Sequence, residues 1–531
     1  MAAPSYTTDL ADISTAESAT GWAESTAWGA GKTLVLETDF YIQGSNCISE
    51  ALKTGIGSLI YDFGQDATAF ATGDVAMTWH YCWAPNAMDV DASGGMRAII
   101  GSGINDFNGW SVAGSDTLPY GGWICVPIDP DTNDGTPDYS EGTPGASLQF
   151  FGHATNLIGE VSKGNSHGVD VIRYGRAEAI FRDGDSTNGF ATFAGFAAEN
   201  DDTGNRWGLI QEQAGGYLWQ GLITLGDSTG SVDFRDSNVA ITINNTKKVT
   251  SGFNKIEIND ATSRVDWDTI LITALGTLSR GALEVVDNAD VNFDDCIFTD
   301  MSTFIFQADS TVNTTTFRRC DQVTTGTGEF NTCLFDESTA TAATIMANLS
   351  DISDCSFVSD GTSGYAVELT SLGGGTMTWD NNDVGYAGTD GTTGDETIHV
   401  DSTSGSLTIN VAAGYTTPTI HSEGATVSVV AGQVTTTITV QDVSTSALLQ
   451  DARVYLLAGA GGPLSEGTEI INDLTDVNGE VSDTRALASD QPVTGYVRRG
   501  TSAPLYKQAN ITGTIDNGTG LDLTIQMISD E

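Results

Sequence analysis

Basic residues are scarce in this chain. Of its 531 residues, 21 are Lys or Arg and 70 are Asp or Glu, so the formal charge at pH 7 is −49. Nucleic acids and anionic membrane surfaces are bound largely through basic side chains. The composition therefore argues against either of these as the main partner.

Long apolar runs are also missing. No stretch approaches the roughly 18 apolar residues that a membrane-spanning helix needs, and the first residues lack the basic and apolar segments of a secretory signal. We therefore expect a soluble chain, made in the cytoplasm and without membrane insertion. The seven Cys are odd in number and include no CxxC pair, which favours reduced, buried thiols over a disulfide framework.

Proline is rare, with 11 residues against 62 Gly. Thr, Ser, Asp and Asn are abundant, and few segments have the apolar periodicity of a helix. This texture is typical of many short strands joined by turns, and it predicts an all-β fold. At about 150 residues per domain, the length predicts three or four domains.

The acidic side chains are spread along the chain rather than gathered in a tail. Self-repulsion of this size is best tolerated where salt screens it, which favours marine or hypersaline surroundings. The alternative is that surface acids simply keep a Gly- and Thr-rich β protein in solution.

A short pattern recurs in the middle of the chain. Its copies are Phe293–Phe298, Val312–Phe317, Phe330–Phe335, Ile352–Phe357 and a looser Trp379–Val384. Each has an apolar residue, two residues that tolerate a sharp corner, and then a small residue and an aromatic on one strand face. Units of roughly 20 residues must stack to bury their apolar faces. The pattern therefore predicts two inward ladders, one of Cys296, Thr315, Cys333 and Cys355 and one of Phe298, Phe317, Phe335 and Phe357.

This pattern resembles the coils of right-handed parallel β-helices, the pectate-lyase-like superfold shared by polysaccharide lyases, glycoside hydrolases and phage tailspikes. The resemblance implies such a β-helix over residues 226–432. In residues 433–531 a strand ending in Asp442 is followed by a strand after Leu448–Ala452 (LLQDA) and by the turn Thr475–Glu480 (TDVNGE). This order resembles carboxypeptidase-regulatory-like and Ig-like modules, which implies an Ig-like β-sandwich. Residues 1–225 hold eight of the ten Trp. The segments Phe40–Ser49 (FYIQGSNCIS) and Asn205–Gly226 (NRWGLIQEQAGGYLWQGLITLG) resemble those of structural proteins of tailed phages, which implies a jelly-roll-like, lectin-like sandwich. Its Trp residues would stack on sugars or, more commonly, pack in a core.

Carboxylates are the natural starting point for catalysis on glycans. Asp294 and Asp295 form the best-placed pair, and Asp354 and Asp380 occupy the same corner of later copies. The alternative is that these residues are turn formers. Galacturonase-type β-helices carry Gly-His-Gly and Arg-x-Lys near their acids, and the repeat region has neither. Lys is absent between Lys255 and Lys507, and the five His have no ligand spacing, so the sequence predicts a protein without catalytic residues.

One acidic segment has the composition of a metal loop. Around Gly135 it gathers the hard oxygen ligands that Ca²⁺ selects, and its second half resembles DxDGDGxPDxxE calcium loops. The first half departs from that motif as if one residue were inserted, so an ordinary acidic surface loop is the alternative. The predicted Ca²⁺ ligands are Asp129, Asp131, Asn133, Asp134, Asp138 and Glu141.

The combination of a leaderless chain, a sandwich, a β-helix and an Ig-like end predicts a non-enzymatic structural protein on the surface of a phage or other prokaryotic virus. It would be a head decoration, turret, fibre or spike, made in the host cytoplasm. Its partners would be other copies of itself, with a homotrimer favoured, other virion proteins and host surface glycans. The alternatives are a tailspike-like polysaccharide depolymerase and an adhesin exported by a leaderless route.

Overall fold

The structure is a computed structural model. It describes residues 5–8, 10–24, 33–51, 55–62, 74–82, 95–103, 106–113, 122–128, 150–157, 167–182, 190–200, 209–213, 215–243, 254–275, 280–286, 288–361, 364–370, 374–386, 388, 394–487, 489–500 and 503–530. Strand makes up 55% and helix 2%, and many strands pair in parallel, so the predicted all-β class is confirmed. Among the described residues, no helix is long and apolar enough to cross a membrane.

Two compact units make up the chain, Met1–Gly328 and Glu329–Glu531. The first unit opens with twelve strands: β1 (Ser5–Thr8), β2 (Ala11–Ser14), β3 (Trp22–Glu24), β4 (Leu34–Glu37), β5 (Cys47–Glu50), β6 (Gly55–Asp62), β7 (Val75–Cys82), β8 (Gly95–Gly103), β9 (Asp106–Ala113), β10 (Gly122–Ile128), β11 (Phe150–Leu157) and β12 (His167–Gly175). Strands β2 to β12 form two antiparallel sheets, β10-β7-β12-β5-β4 with β2 on β12, and β3-β6-β11-β8-β9. Strand β1 instead pairs antiparallel with the strand Glu178–Arg182.

Ionisable side chains are buried in the first of these sheets. Burial lowers the pKa of His80 to about 3 and that of His167 to about 4. Burial also raises the pKa of Asp170 to about 7, although the backbone N–H groups of Ile42 and Gln43 donate to its carboxylate at 2.8 and 3.2 Å. The stability of this sheet therefore depends on pH.

Strands that pair mainly in parallel form the rest of the first unit, together with one helix. The elements are β13 (Glu178–Arg182), α1 (Phe193–Asn200), β14 (Ile210–Gln213), β15 (Gly216–Trp219), β16 (Leu222–Leu225), β17 (Asp233–Ser237), β18 (Ala240–Ile243), β19 (Lys255–Ile258), β20 (Arg264–Asp268), β21 (Leu271–Ala274), β22 (Ala282–Val285), β23 (Asp290–Asp294), β24 (Ile297–Thr299), β25 (Phe304–Ile305), β26 (Ser310–Asn313), β27 (Thr316–Arg318) and β28 (Val323–Thr324).

Each of these strands from β15 to β25 pairs in parallel with the strand three places later, as β16 does with β19 and β20 with β23. The repeating unit is thus a coil of three short strands. Parallel pairing already includes β13, which lies upstream of the predicted boundary at 226. Along β20 and β23, buried side chains alternate with exposed or half-buried ones. As a result aromatic rings stack between coils, with Trp267 and Phe293 at 4.8 Å between centroids and 6° between planes.

The second unit begins with further parallel strands. These are β29 (Glu329–Asn331), β30 (Leu334–Asp336), β31 (Ala342–Met346), β32 (Ile352–Ser353), β33 (Ser356–Val358), β34 (Tyr365–Leu369), β35 (Gly375–Trp379), β36 (Asn382–Val384), β37 (Ile398–Val400), β38 (Ser406–Val411), β39 (Ile420–Ser422) and β40 (Thr426–Val430). The pairing again joins successive coils, for example β31 with β34, β34 with β37, and β37 with β39.

The second unit ends in two small sheets. Their strands are β41 (Gln433–Asp442), β42 (Arg453–Ala458), β43 (Glu469–Leu474), β44 (Glu480–Ala486), β45 (Gln491–Arg498), β46 (Ala509–Ile515) and β47 (Leu521–Met527). The sheets have the orders β44-β41-β47 and β43-β42-β45-β46. Alternating apolar residues of both sheets, such as Ile438, Val454 and Val497, share one buried core. This is how two amphipathic sheets exclude water from their inner faces.

Candidate functional site

The residues of the two predicted ladders are all buried. In the first unit Phe298 and Phe317 are paired in register, with ring centroids 5.5 Å apart. In the second unit Phe335 and Phe357 are paired in the same way at 4.8 Å. The aromatic positions therefore serve the core of the coils.

The small residues of the other ladder each make the same kind of hydrogen bond. Each side chain donates to the backbone carbonyl two residues earlier: Cys296 Sγ at 3.4 Å, Thr315 Oγ1 at 2.9 Å, Cys333 Sγ at 3.5 Å and Cys355 Sγ at 3.3 Å. This bond explains why both Cys and Thr occur at the position. Burial raises the pKa of the Cys296 thiol to about 12, which favours the protonated thiol at neutral pH.

The corner acids occupy a special backbone position. Asp295 and Asp354 both have φ of 52°, and Thr314 and Thr332 at the same place in other copies have φ of 48° and 57°. Asp and Asn adopt this left-handed conformation more readily than most other residues with a Cβ. The preceding Asp294 is exposed, and its Oδ1 accepts a 2.9 Å bond from Asn313 Nδ2. This geometry suits turn formers.

The predicted Ca²⁺ loop around Gly135 lies in a part of the chain that the structure does not describe. All six predicted Ca²⁺ ligands, Asp129, Asp131, Asn133, Asp134, Asp138 and Glu141, lie outside the described residues.

A different set of ligand-type side chains comes together in the second unit. His399 on β37 and His421 on β39 are paired in register, and Glu368 on β34 is paired with His399. The expectation that the histidines have no ligand spacing is wrong for this pair, because coils bring residues one turn apart into contact. The sequence does contain a signal: Thr397-Ile398-His399 recurs as Thr419-Ile420-His421, one coil later.

The two imidazoles are arranged alike around Glu423. His399 Nε2 lies 3.6 Å and His421 Nε2 lies 3.2 Å from Glu423 Oε1. The opposite nitrogens also face carboxylates, since His399 Nδ1 lies 3.4 Å from Glu368 Oε2 and His421 Nδ1 lies 3.7 Å from Glu396 Oε2. We call His399, His421, Glu423, Glu368 and Glu396 the histidine–glutamate cluster.

The cluster is enclosed except on one side. The side chains of His399 and His421 are 14% and 19% exposed, and that of Glu396 is 0% exposed, whereas Glu423 is 49% exposed. The ring of Tyr365 stacks on His399 at 4.4 Å between centroids. Burial, followed by the charge of Glu396, raises the pKa of the Tyr365 hydroxyl.

The electrostatics of the cluster favour a bound cation. Its three carboxylates face two imidazoles, and the sequence contains no Lys or Arg between Arg319 and Arg453. Imidazole nitrogens with carboxylate oxygens are a common ligand set for transition metals. The arrangement can therefore hold a divalent ion.

Fold and cluster together define an all-β protein with coils of parallel strands, in which successive coils of the second unit carry an acidic histidine cluster. No model of a known protein family matches the chain, and no curated protein sequence matches it. Its function is therefore inferred from its own residues and geometry.

Proposed function

We propose that the chain is a non-enzymatic structural protein on the surface of a phage or other prokaryotic virus particle. In this proposal the parallel coils form a right-handed β-helix. The antiparallel sheets before them form a jelly-roll-like sandwich, and the small sheets after them form an Ig-like module. The protein would serve as a head decoration, turret, fibre or spike.

The proposal rests on the structural roles of the inward-facing and corner residues of the repeats. The inward positions form buried stacks, as between Phe298 and Phe317, and the corner acids Asp295 and Asp354 occupy left-handed turn positions. Both sets are thus engaged in building coils. A scaffold needs a continuous core of this kind, because each coil is stabilised by its neighbours.

Particle membership is the direct test of the proposal. Virus particles from a lysed producing culture would be purified on a density gradient, and the protein would be sought by mass spectrometry and by immunogold labelling. We expect the chain in the particle fraction, with gold on the particle surface. Its absence from purified particles would contradict the proposal.

Light scattering of the purified chain tests its assembly. A stable mass near three times 55.6 kDa at both about 0.15 M and about 2 M salt is the result expected of a self-contained trimeric spike or fibre. A monomer, or assembly only at high salt, would instead favour a decoration protein that its capsid lattice orders.

One observation favours the second candidate function, a glycan depolymerase. In the second unit the hydroxyl of Tyr415 donates to Asp354, and burial raises the pKa of Asp380 on the next coil. A carboxyl group with a raised pKa is what glycoside hydrolysis requires of its general acid. The test is release of reducing ends from host surface polysaccharide. Depolymerase activity would be lost in Asp354→Asn or Asp380→Asn and retained in the control Asp309→Asn.

A further inference from the structure

We propose that His399, His421 and Glu423 bind one divalent transition-metal ion, with Zn²⁺ the best match, through His399 Nε2, His421 Nε2 and Glu423 Oε1. The inference stands on the histidine–glutamate cluster alone and does not depend on the proposed viral function.

The spacing of the ligand atoms fits a metal ion. Zn–N and Zn–O bonds of about 2.0–2.2 Å in a tetrahedron place neighbouring ligand atoms about 3.3–3.6 Å apart. Glu423 Oε1 lies 3.2 Å from His421 Nε2 and 3.6 Å from His399 Nε2. One ligand atom from each of the three residues lies within 4.8 Å of the others. Only small side-chain adjustments are needed to close all three atoms around one ion.

The remaining carboxylates are placed as supporting groups. A metal-bound histidine usually directs its second ring nitrogen to a carboxylate, which selects the tautomer and orients the ring. Glu368 faces His399 Nδ1 at 3.4 Å, and Glu396 faces His421 Nδ1 at 3.7 Å. Both imidazoles thus have a carboxylate on the Nδ1 side and the proposed metal on the Nε2 side. This agreement between two rings on different coils distinguishes the cluster from a chance contact of surface charges.

The ligand types select the class of metal. Two imidazoles and one carboxylate suit Zn²⁺ and related ions, whereas Ca²⁺ takes sites made of oxygen ligands. Three protein ligands leave a fourth tetrahedral position for water, and the 49% exposure of Glu423 gives solvent a route to it. The bound ion would join two coils, because His399 and His421 lie on β37 and β39.

Calorimetric titration tests the proposal. The full chain would be treated with a chelator, dialysed and titrated with ZnCl₂ near pH 7.5 in excess Ca²⁺, which occupies sites made only of oxygen ligands. We expect one tight Zn²⁺ ion per chain. Co²⁺ in place of Zn²⁺ should show the visible absorption of four-coordinate cobalt with nitrogen ligands, a readout independent of calorimetry.

Variants then separate the cluster from the general negative charge of the chain. His421→Gln and Glu423→Gln should abolish the stoichiometric binding. Asp401→Asn, which removes an exposed carboxylate directly after β37, is the matched control for Glu423→Gln and should bind like the parent chain. Glu368→Gln should weaken Zn²⁺ binding by about 10- to 100-fold, because it removes only the supporting group of His399.

Circular dichroism and the melting temperature, both measured without metal, show whether each variant is folded like the parent chain. Loss of binding in Glu423→Gln with an unchanged metal-free melting temperature supports the site. The proposal is overturned if the parent chain binds no stoichiometric Zn²⁺ or Co²⁺. It is equally overturned if folded Glu423→Gln and His421→Gln bind as the parent does.

Discussion

The backbone at Asp295 allows a quantitative test of whether the corner acids are turn formers. Its φ of 52° is left-handed, and its side chain is exposed. This conformation costs a residue with a Cβ about 1–2 kcal/mol, a penalty that Asp reduces and Gly avoids. Gly loses about 0.5–1 kcal/mol through the entropy of the unfolded chain. The free energy of unfolding should therefore stay within about 0.5 kcal/mol in Asp295→Gly, fall by about 1 kcal/mol in Asp295→Ala, and fall by about 2 kcal/mol in the β-branched Asp295→Val.

Urea unfolding followed by tryptophan fluorescence measures this series. Trp267 reports on the neighbouring coils, because its ring stacks on Phe293 at 4.8 Å. Asp309→Ala is the matched control, since Asp309 is an exposed acid in the same unit that does not have a positive φ. It should change stability by less than about 0.5 kcal/mol. The reasoning is refuted if Asp295→Gly is as destabilised as Asp295→Ala, or if all three substitutions match the control.

Three further predictions concern pH and the core of the coils. Between pH 6.5 and about pH 4 the unfolded state takes up a proton at His80 that the folded state, with a His80 pKa of about 3, does not, so stability falls on acidification. In urea unfolding of the first unit, His80→Gln should reduce the pH slope by about 1.4 kcal/mol per unit, and an unchanged slope would contradict this. Phe298→Ala should lower the free energy of unfolding by about 3–5 kcal/mol in the same assay, because the centroid of the buried ring lies 5.0 Å from that of Phe304 and 5.5 Å from that of Phe317. The control Phe298→Leu should lower it by about half as much or less. Cys333→Thr should change the free energy of unfolding by less than about 1 kcal/mol, since Thr315 donates the equivalent hydrogen bond to the carbonyl two residues earlier at 2.9 Å. A loss as large as that in Cys333→Leu would argue against this equivalence.

The ladders illustrate what could be read from the sequence. A small residue and an aromatic two positions later must lie on the same face of a strand, and copies of about 20 residues must stack to bury that face. These two requirements are local and periodic, so the buried Cys296 and Phe298 and the all-β class were predictable. The acid at the corner was predictable for the same reason, since a turn limits the residue types at a single position.

The residues of the histidine–glutamate cluster are not evenly spaced in the sequence. Glu368 and His399 are 31 residues apart, and His399 and His421 are 22 apart, yet all three are paired in register on successive strands. Corner loops vary in length from coil to coil without changing the spacing of about 4.8 Å between hydrogen-bonded strands. The recurring Thr-Ile-His marked the two histidines, but their alignment over each other and beside Glu423 is set by backbone pairing.

The sequence by itself thus determined the class of fold, the inward ladders and the acidic character of the chain, because each follows from local residue types and their period. The tertiary structure alone decided which acids meet which imidazoles, because those contacts form between coils whose lengths differ. The acids of the regular corners lie at turns, as the pattern indicated. Glu396, Glu423 and the two histidines came from a part of the chain where no pattern of comparable regularity existed, and strand register brought them together.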